Sequence, residues 1–373
     1  MRTCLRGVGR GAAQAARPLK TFRSLVGVAT RDVSARAMTE TSVFLEEIAV
    51  SQTPKRLQGL MRVLEARGGV SLSPADRRGL HPLLVPLSAQ GEDVTCLLRW
   101  PEPSQHKNMP LPVVRMTRGE VGVTLVARSV DEYLHRLLAE EDVAASTAAS
   151  AGSGAARPLA DAAGMDAEGL YRAGDVAAAG LGASSSSSSP AQAMAMYLIR
   201  KAGMFPDVCE SLATAHLGRN DKTSAMVASE WYMRNGHFPG WARPYEFASD
   251  LYMGLGRGEE GRDMARMALR LPWWTLRAPF TAVATTAALP ADAEKVMWLL
   301  SEEAAAAASA KVNQFKGYRE PKSSKQLALE RATGLMNRVV AGDLASYDAI
   351  RDQLAEAYAE AGLNDVANFI TAA

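Results

Sequence analysis

The stretch YEFASDLYMGLGRGEEGRDMARMALRLP, residues 245–272, predicts two short helices joined by a tight turn. Gly256 follows the first helical segment and Pro272 follows the second, and these residue types commonly end helices. Leu217-Gly218-Arg219 recurs 38 residues later as Leu255-Gly256-Arg257, each time between two helical segments. A recurrence of this kind indicates helical hairpins packed side by side.

The same helix signals extend over the whole C-terminal half. Pro190 and Pro206 stand where helices can begin, and Gly203 and Gly218 stand where they can end. Further apolar helical segments precede Gly342 and Gly362 and are suited to cap a helical stack. We therefore expect residues 190–373 to form an all-α domain.

The hairpin at 245–272 resembles the tetratricopeptide family. The large, aliphatic, small and large positions of the family's first helix match Tyr245, Ala248, Ser249 and Tyr252. The turn matches Gly256, the second helix matches Gly261, Ala265 and Ala268, and the closing proline matches Pro272. The proline comes one residue early, and Ala265 is small where the family prefers an aromatic residue. The resemblance implies an α-solenoid in which the first helix of each hairpin lines a partner-binding surface. On this basis we expect partner contacts from Glu210, Thr214, Tyr245, Ser249 and Tyr252.

Other stretches are similar to a family of organelle-targeted proteins of plants and green algae. They are LLRWPEP, LPVVRM, DEYLHRLLAEED, MALRLPWWTL and the ending AEAYAEAGLNDVANFI. This second resemblance implies compartment and lineage, and it implies no activity.

The N-terminal residues 1–38 have the composition of an organelle transit peptide. They contain eight Arg or Lys residues and a single acid, Asp32, and they are rich in Ala, Gly and Ser. A basic tail that binds RNA or lipid is the alternative. We expect import into the chloroplast stroma, with the mitochondrial matrix as the alternative.

Residues 40–142 predict a small α+β module. Leu57, Leu60, Met61 and Leu64 recur at helical spacing, whereas 94–100, 111–117 and 121–127 are short Val- and Leu-rich segments typical of an antiparallel sheet. Residues 143–189 are dominated by Ala, Gly and Ser and predict a flexible linker. The predicted fold class is therefore mainly α, with a C-terminal tetratricopeptide-like helical-repeat domain preceded by this module.

Charge and composition narrow the function classes. The whole chain carries +2 and residues 1–38 carry +7, which leaves −5 on the remainder. A mildly acidic body argues against a general DNA or RNA binder. No apolar run is long enough to predict a membrane span. The cysteines at 4, 96 and 209 are too few for a disulfide framework or a cysteine zinc site.

Two patterns with possible chemistry have simpler structural explanations. Residues 256–261 spell G-x-G-x-x-G, but a dinucleotide site requires a preceding strand, and here a helical segment precedes. Asp131 and His135 are spaced i, i+4 on one helix, which suits a surface ion pair as well as two metal ligands. We expect neither metal nor cofactor.

Function is therefore predicted from architecture. We expect a non-enzymatic interaction, scaffold or assembly protein that binds an organelle protein complex or client. The first alternative is an organelle RNA-metabolism or ribosome-associated factor that uses ten aromatic residues between 231 and 280 together with interleaved arginines. The second is an enzyme with its site in the α+β module around Arg99, Trp100, Arg115 and His135.

Overall fold

The described residues form helices in both halves of the chain and one sheet in the N-terminal half. A computed structural model describes residues 37–102, 105, 109, 111–150, 158–179, 190–234, 236–311 and 322–372. The strands are β1 (Val70–Ser71), β2 (Leu84–Gln90), β3 (Asp93–Leu98), β4 (Val113–Thr117) and β5 (Thr124–Ala127). The α-helices are α1 (Leu57–Ala66), α2 (Val130–Ser150), α3 (Pro158–Ala163), α4 (Asp175–Ala178), α5 (Pro190–Tyr197), α6 (Pro206–Gly218), α7 (Lys222–Met233), α8 (Arg243–Gly254), α9 (Gly258–Leu269), α10 (Phe280–Thr286), α11 (Ala293–Lys311), α12 (Ser324–Ala341), α13 (Arg351–Glu360) and α14 (Asn364–Thr371).

The sheet has the order β1-β2-β3-β4-β5, and each strand is antiparallel to the next. The expected antiparallel sheet is confirmed, and three of its strands lie where the alternation of apolar residues predicts them. β1 and β2 were not predicted. β2 contains Pro86, which cannot donate a ladder hydrogen bond, and the register with β3 shifts between Pro86 and Ser88. A proline at a bulge is compatible with a strand but hides it from sequence patterns.

Helix α1 packs its predicted apolar stripe into the core. Leu57, Leu60, Met61 and Leu64 are all buried. The chain leaves the helix through Gly68, whose φ of 88° lies in the left-handed region that favours glycine. α1 also contacts α2 and α3, so it lies between the sheet and the next helices.

Residues 158–179, inside the predicted linker range, lie against α1 and α2. Glu141 of α2 accepts hydrogen bonds from the backbone N–H groups of Leu159 (2.7 Å) and Ala160 (3.0 Å), which lack partners within α3. Arg62 of α1 donates to the carbonyl of Ala162 (2.9 Å) and to Asp166 (2.8 Å). These contacts hold residues 158–179 in place, which a composition rich in Gly and Ala does not predict.

The C-terminal half contains the two helical hairpins indicated by the repeat, α6 with α7 and α8 with α9. Gly256 lies in the turn of the second hairpin with a φ of 77°. A Cβ at Gly261 would lie 2.7 Å from the Sδ of Met253, so the two helices approach closely there. The G-x-G-x-x-G stretch is therefore a tight helix–helix turn followed by a helix contact.

The sheet and the C-terminal helices share an apolar core. Trp100, two residues after β3, packs against Trp241 and Trp274 with ring centroids 6.0 and 5.7 Å away. Phe44 packs against Phe369 of α14 at 6.1 Å. The coarse prediction of a mainly helical chain with a small antiparallel sheet in its N-terminal half is confirmed.

Candidate functional site

The five residues predicted to contact a partner have different environments. Thr214 is exposed on α6, Glu210 and Tyr245 are partly buried, and Ser249 and Tyr252 of α8 are 3% and 7% exposed. The Ser249 hydroxyl donates to the carbonyl of Gly261 at 2.7 Å, and Tyr252 packs in an apolar cluster between the hairpin helices. Ser249 and Tyr252 thus contribute to the packing of α8 on α9 and are largely buried there. Partner binding by the five residues stays a prediction.

Glu210 is the centre of a charged hydrogen-bonded group. It accepts from the Nε of Arg243 at 2.8 Å and from its Nη2 at 2.9 Å, and from the hydroxyl of Tyr232 at 3.2 Å. Burial alone would lower the pKa of Arg243, but the hydrogen bonds and charge of Glu210, helped by Glu246, raise that pKa above its ordinary value. Burial, then the Glu210 charge, raises the pKa of Tyr232. Both the guanidinium charge and the phenol proton are therefore retained at any physiological pH.

A pocket with a volume of about 120 Å³ lies over this group, and we call it the β5–α8 pocket. β5 and the residue before it form one wall, and the first turns of α6 and α8 form the opposite side. Its lining residues are Val123, Thr124, Leu125, Pro206, Asp207, Glu210, Tyr232, Phe238, Trp241, Arg243, Pro244, Thr275, Leu276 and Arg277. Most of the lining is apolar, and the Arg243–Glu210 ion pair supplies buried polarity.

Two prolines add apolar surface to the helix ends that face the pocket. Pro206 and Pro244 occupy the first turns of α6 and α8. A helix N-terminus normally presents unbonded N–H groups, which attract anions, whereas proline has no N–H and presents its ring. The first turns therefore contribute hydrocarbon to the lining.

The segment 272–278 is held by hydrogen bonds to Val123, next to β5, and to Ala242 and Glu246 at the start of α8. The carbonyl of Trp274 accepts from the N–H of Val123 at 2.8 Å, next to β5. Thr275 accepts through its hydroxyl oxygen from the N–H of Ala242 at 2.9 Å. Glu246, only 2% exposed, accepts from the N–H groups of Arg277 (2.9 Å) and Ala278 (2.7 Å). These bonds fix the wall relative to both β5 and α8.

The residues of the alternative enzyme site do not share one set of contacts. Arg99 is 2% exposed and donates to the carbonyls of Ala49 and Trp100 and to Asp365 of α14. His135 bonds to the hydroxyl of Tyr197 at 3.0 Å, and burial lowers its pKa. Trp100 lies in the tryptophan cluster, and Arg115 is exposed on β4. Arg99, Trp100 and His135 hold separate elements together, and their contacts do not converge on one pocket.

The aromatic residues proposed for base stacking are mostly in the interior. Tyr232, Phe238, Trp241, Tyr252, Trp273, Trp274 and Phe280 are buried, and only Trp231, Tyr245 and Phe247 are partly exposed. Base stacking requires an accessible ring face. The interpretation of this group as core is confirmed for these seven.

Two features are absent from the described part of the chain. No set of three or more His, Cys, Asp or Glu side chains there is placed to hold a metal ion. No helix there is both long enough and apolar enough to cross a membrane.

The β5–α8 pocket was not predicted, although Glu210 was selected among the candidate residues. Its lining comes mainly from one strand, two helix starts and the segment 272–278, which are separated by up to about two fifths of the chain. Only the two helix starts carry a signal in the sequence that could have helped to find the pocket, namely Pro206 and Pro244. Fold and site together define a mainly helical protein with a small, apolar, preformed pocket between its sheet and its helical hairpins.

Comparison with known proteins places this class in a family. The chain matches PAB N-terminal over residues 39–201, PAB middle domain over 206–294 and PAB C-terminal domain over 296–373. It is 34% identical over 333 residues, 88% of this chain and 89% of the relative, to "Protein IN CHLOROPLAST ATPASE BIOGENESIS, chloroplastic" from Arabidopsis thaliana. The chain therefore belongs to the PAB family. No solved structure matches it.

Proposed function

We propose that this protein is a non-enzymatic assembly factor that acts in the chloroplast in the biogenesis of an ATPase. The observation that carries the proposal is the similarity to the Arabidopsis relative, which extends over nearly the whole of both chains. The predicted transit peptide at residues 1–38 supports the compartment, and we assign the stroma as the place of action.

The protein acts by binding a partner protein on its tetratricopeptide-like hairpins. The hairpins α6–α7 and α8–α9 pack on each other, and their first helices carry Glu210, Thr214 and Tyr245. Thr214 is exposed and Tyr245 is partly exposed, so these side chains are available for contact. A packed helical surface supplies shape and fixed polar groups for recognition and needs no reactive group.

Complementation tests this function directly. The chain is expressed in an Arabidopsis line that lacks the relative, and the amount of assembled chloroplast ATPase is measured on native gels. We expect the full chain to restore the complex, and a variant without residues 1–38 to fail because it is not imported. If the full chain is imported but the assembled ATPase is not restored, the proposal is refuted.

A second experiment distinguishes protein binding from RNA binding. The tagged chain is purified from chloroplasts with and without ribonuclease, and its partners are identified by mass spectrometry. We expect ATPase subunits in both preparations. Partners that disappear on ribonuclease treatment would favour the RNA-metabolism alternative instead.

A further inference from the structure

We propose that the β5–α8 pocket receives one large apolar side chain of the partner protein, and that a carboxylate beside that side chain pairs with Arg277 at the rim. This inference rests on the proposed function, since it names the chemistry of the partner segment. Nothing in the family match or in the relative's name assigns this pocket.

The size of the pocket selects a single side chain as its occupant. Sites for cofactors and drug-sized molecules have volumes of about 300 to 1,000 Å³. An apolar protein cavity of about 150 Å³ holds one benzene molecule. At about 120 Å³, the β5–α8 pocket is too small for a nucleotide and matches the side chain of a leucine, methionine or phenylalanine.

The walls are already in place for such an occupant. Hydrogen bonds join Val123 to Trp274, Ala242 to Thr275, and Glu246 to the backbone N–H groups of Arg277 and Ala278. A rigid pocket binds an anchor residue without the cost of ordering its own walls. Buried apolar or aromatic anchors in such pockets dominate the affinity of many protein interfaces.

The charged groups at the floor of the pocket are already paired with each other. Glu210 and Arg243 are joined by two hydrogen bonds, and their side chains are 14% and 18% exposed. Tyr232 donates its hydroxyl to the same carboxylate. A charged side chain entering the pocket would meet a floor whose charges already satisfy each other, which favours an apolar occupant.

The rim, in contrast, offers a cation. The Arg277 side chain is 75% exposed and makes a long ion pair from its Nη1 to Oε2 of Glu210 at 3.7 Å, which is beyond hydrogen-bonding distance. Asp207, also at the rim, is held by two hydrogen bonds from Arg136 at 2.8 and 2.6 Å. The rim therefore presents a guanidinium to an incoming carboxylate, and the neighbouring Asp207 is already neutralised.

The chain offers variants that close the pocket without entering its core. Thr124 is exposed on β5 and lines the mouth, so Thr124→Trp places an indole over the opening. Thr223 is exposed at the start of α7 and does not line the pocket, which makes Thr223→Trp the matched control. Arg277→Glu reverses the rim charge, Arg277→Lys keeps it, and Arg262→Glu reverses an exposed charge on α9.

The test uses a phage-displayed library of random linear peptides as the probe, selected on the full chain. We expect enriched peptides that share one large apolar residue with Asp or Glu within two positions. Synthetic copies should bind Thr124→Trp at least about tenfold more weakly, because the anchor is excluded, and bind Thr223→Trp unchanged. Arg277→Glu should weaken the acidic peptides about threefold to fivefold, and their Asn or Gln versions should bind wild type and Arg277→Glu equally.

Equal peptide binding by wild type and Thr124→Trp would overturn the proposal, as would enrichment of peptides without a shared apolar residue. Thermal unfolding of each variant shows whether it is folded, and Arg277→Glu, which is exposed, gives a second test if Thr124→Trp is not. In the Arabidopsis line, Thr124→Trp should fail to restore the ATPase and Thr223→Trp should restore it. If wild type also fails there, the proposed function fails, and the peptide result still decides whether the pocket takes an apolar anchor.

Discussion

The buried carboxylate of Glu246 allows a quantitative test of how the wall of the β5–α8 pocket is held. It accepts the N–H groups of Arg277 and Ala278 and lies 3.3 Å from Arg243, while being 2% exposed. In Glu246→Ala, two partly buried backbone donors lose their acceptor. Each such donor costs about 1 to 3 kcal/mol, so the free energy of unfolding should fall by about 2 to 6 kcal/mol.

Glu246→Gln separates the two bonds from the side-chain volume. The amide oxygen can accept from one N–H group, but the amide nitrogen faces the other as a second donor. We expect a loss of about 1 to 3 kcal/mol, roughly half that of Glu246→Ala. Glu356→Gln, on the exposed side of α13, is the control and should change stability by less than about 0.5 kcal/mol.

The assay is equilibrium unfolding in urea, followed by circular dichroism and by tryptophan fluorescence. With an m-value of about 3 kcal/mol/M, Glu246→Ala should lower the midpoint by roughly 0.7 to 2 M. If Glu246→Ala unfolds at the same midpoint as Glu356→Gln, the N–H groups of residues 277 and 278 find other acceptors. The reasoning about the wall would then be refuted.

Two further predictions concern packing and pH. Gly261→Ala places a Cβ 2.7 Å from the flexible Met253 side chain and 3.2 Å from the Met253 backbone nitrogen, and should cost about 1 kcal/mol in thermal or urea unfolding. Gly254→Ala, with nothing within 4 Å, should be neutral or stabilising by up to about 1 kcal/mol. Equal effects of the two changes would contradict the close approach of α8 and α9. His81 is fully buried against Trp274 and Tyr347, and burial, with the charges of Arg351 and Arg77, lowers its pKa from 6.5 to about 3. The unfolded chain therefore protonates His81 more readily than the folded chain does. The stability that neutral His81 contributes is complete above pH 6.5, and it is lost as the pH falls towards 3, by up to about 1.4 kcal/mol per pH unit. His81→Phe should flatten the dependence of unfolding free energy on pH between about 6 and 4, and an unchanged slope would show that His81 is not the titrating group.

Local patterns in the sequence were sufficient for the hairpins and for most of the sheet. Gly256 and Pro272 bound the helices of the second hairpin, and alternation of apolar residues located β3, β4 and β5. Local reasoning failed where a residue's role is set by a distant partner. Pro86 conceals β2 because its fit depends on a bulge opposite β3.

The candidate site shows the same division. Ser249 and Tyr252 follow the positions of a repeat that lines a surface, but Gly261 and the apolar cluster of the hairpin use them for packing. Glu210 was selected for its place on a helix, whereas its actual partners, Arg243 and Tyr232, come from two other helices. Arg277 was visible only as one of several arginines near aromatic residues, because its position at a rim depends on Val123 and Glu246.

The contact between the two ends of the described chain has a consequence for how the protein is made. Arg77 and Arg99 lie in the first third of the chain. Arg77 donates a hydrogen bond to the carbonyl of Phe369 in α14, Arg99 donates one to Asp365 in the same helix, and Phe44 packs on Phe369. The core around the sheet therefore cannot be completed until α14 has left the ribosome. Contacts of such large sequence separation fold slowly and leave apolar surface open in the meantime. We expect newly made chains to depend on a chaperone until α14 arrives, and removal of α14 to leave a protein that aggregates.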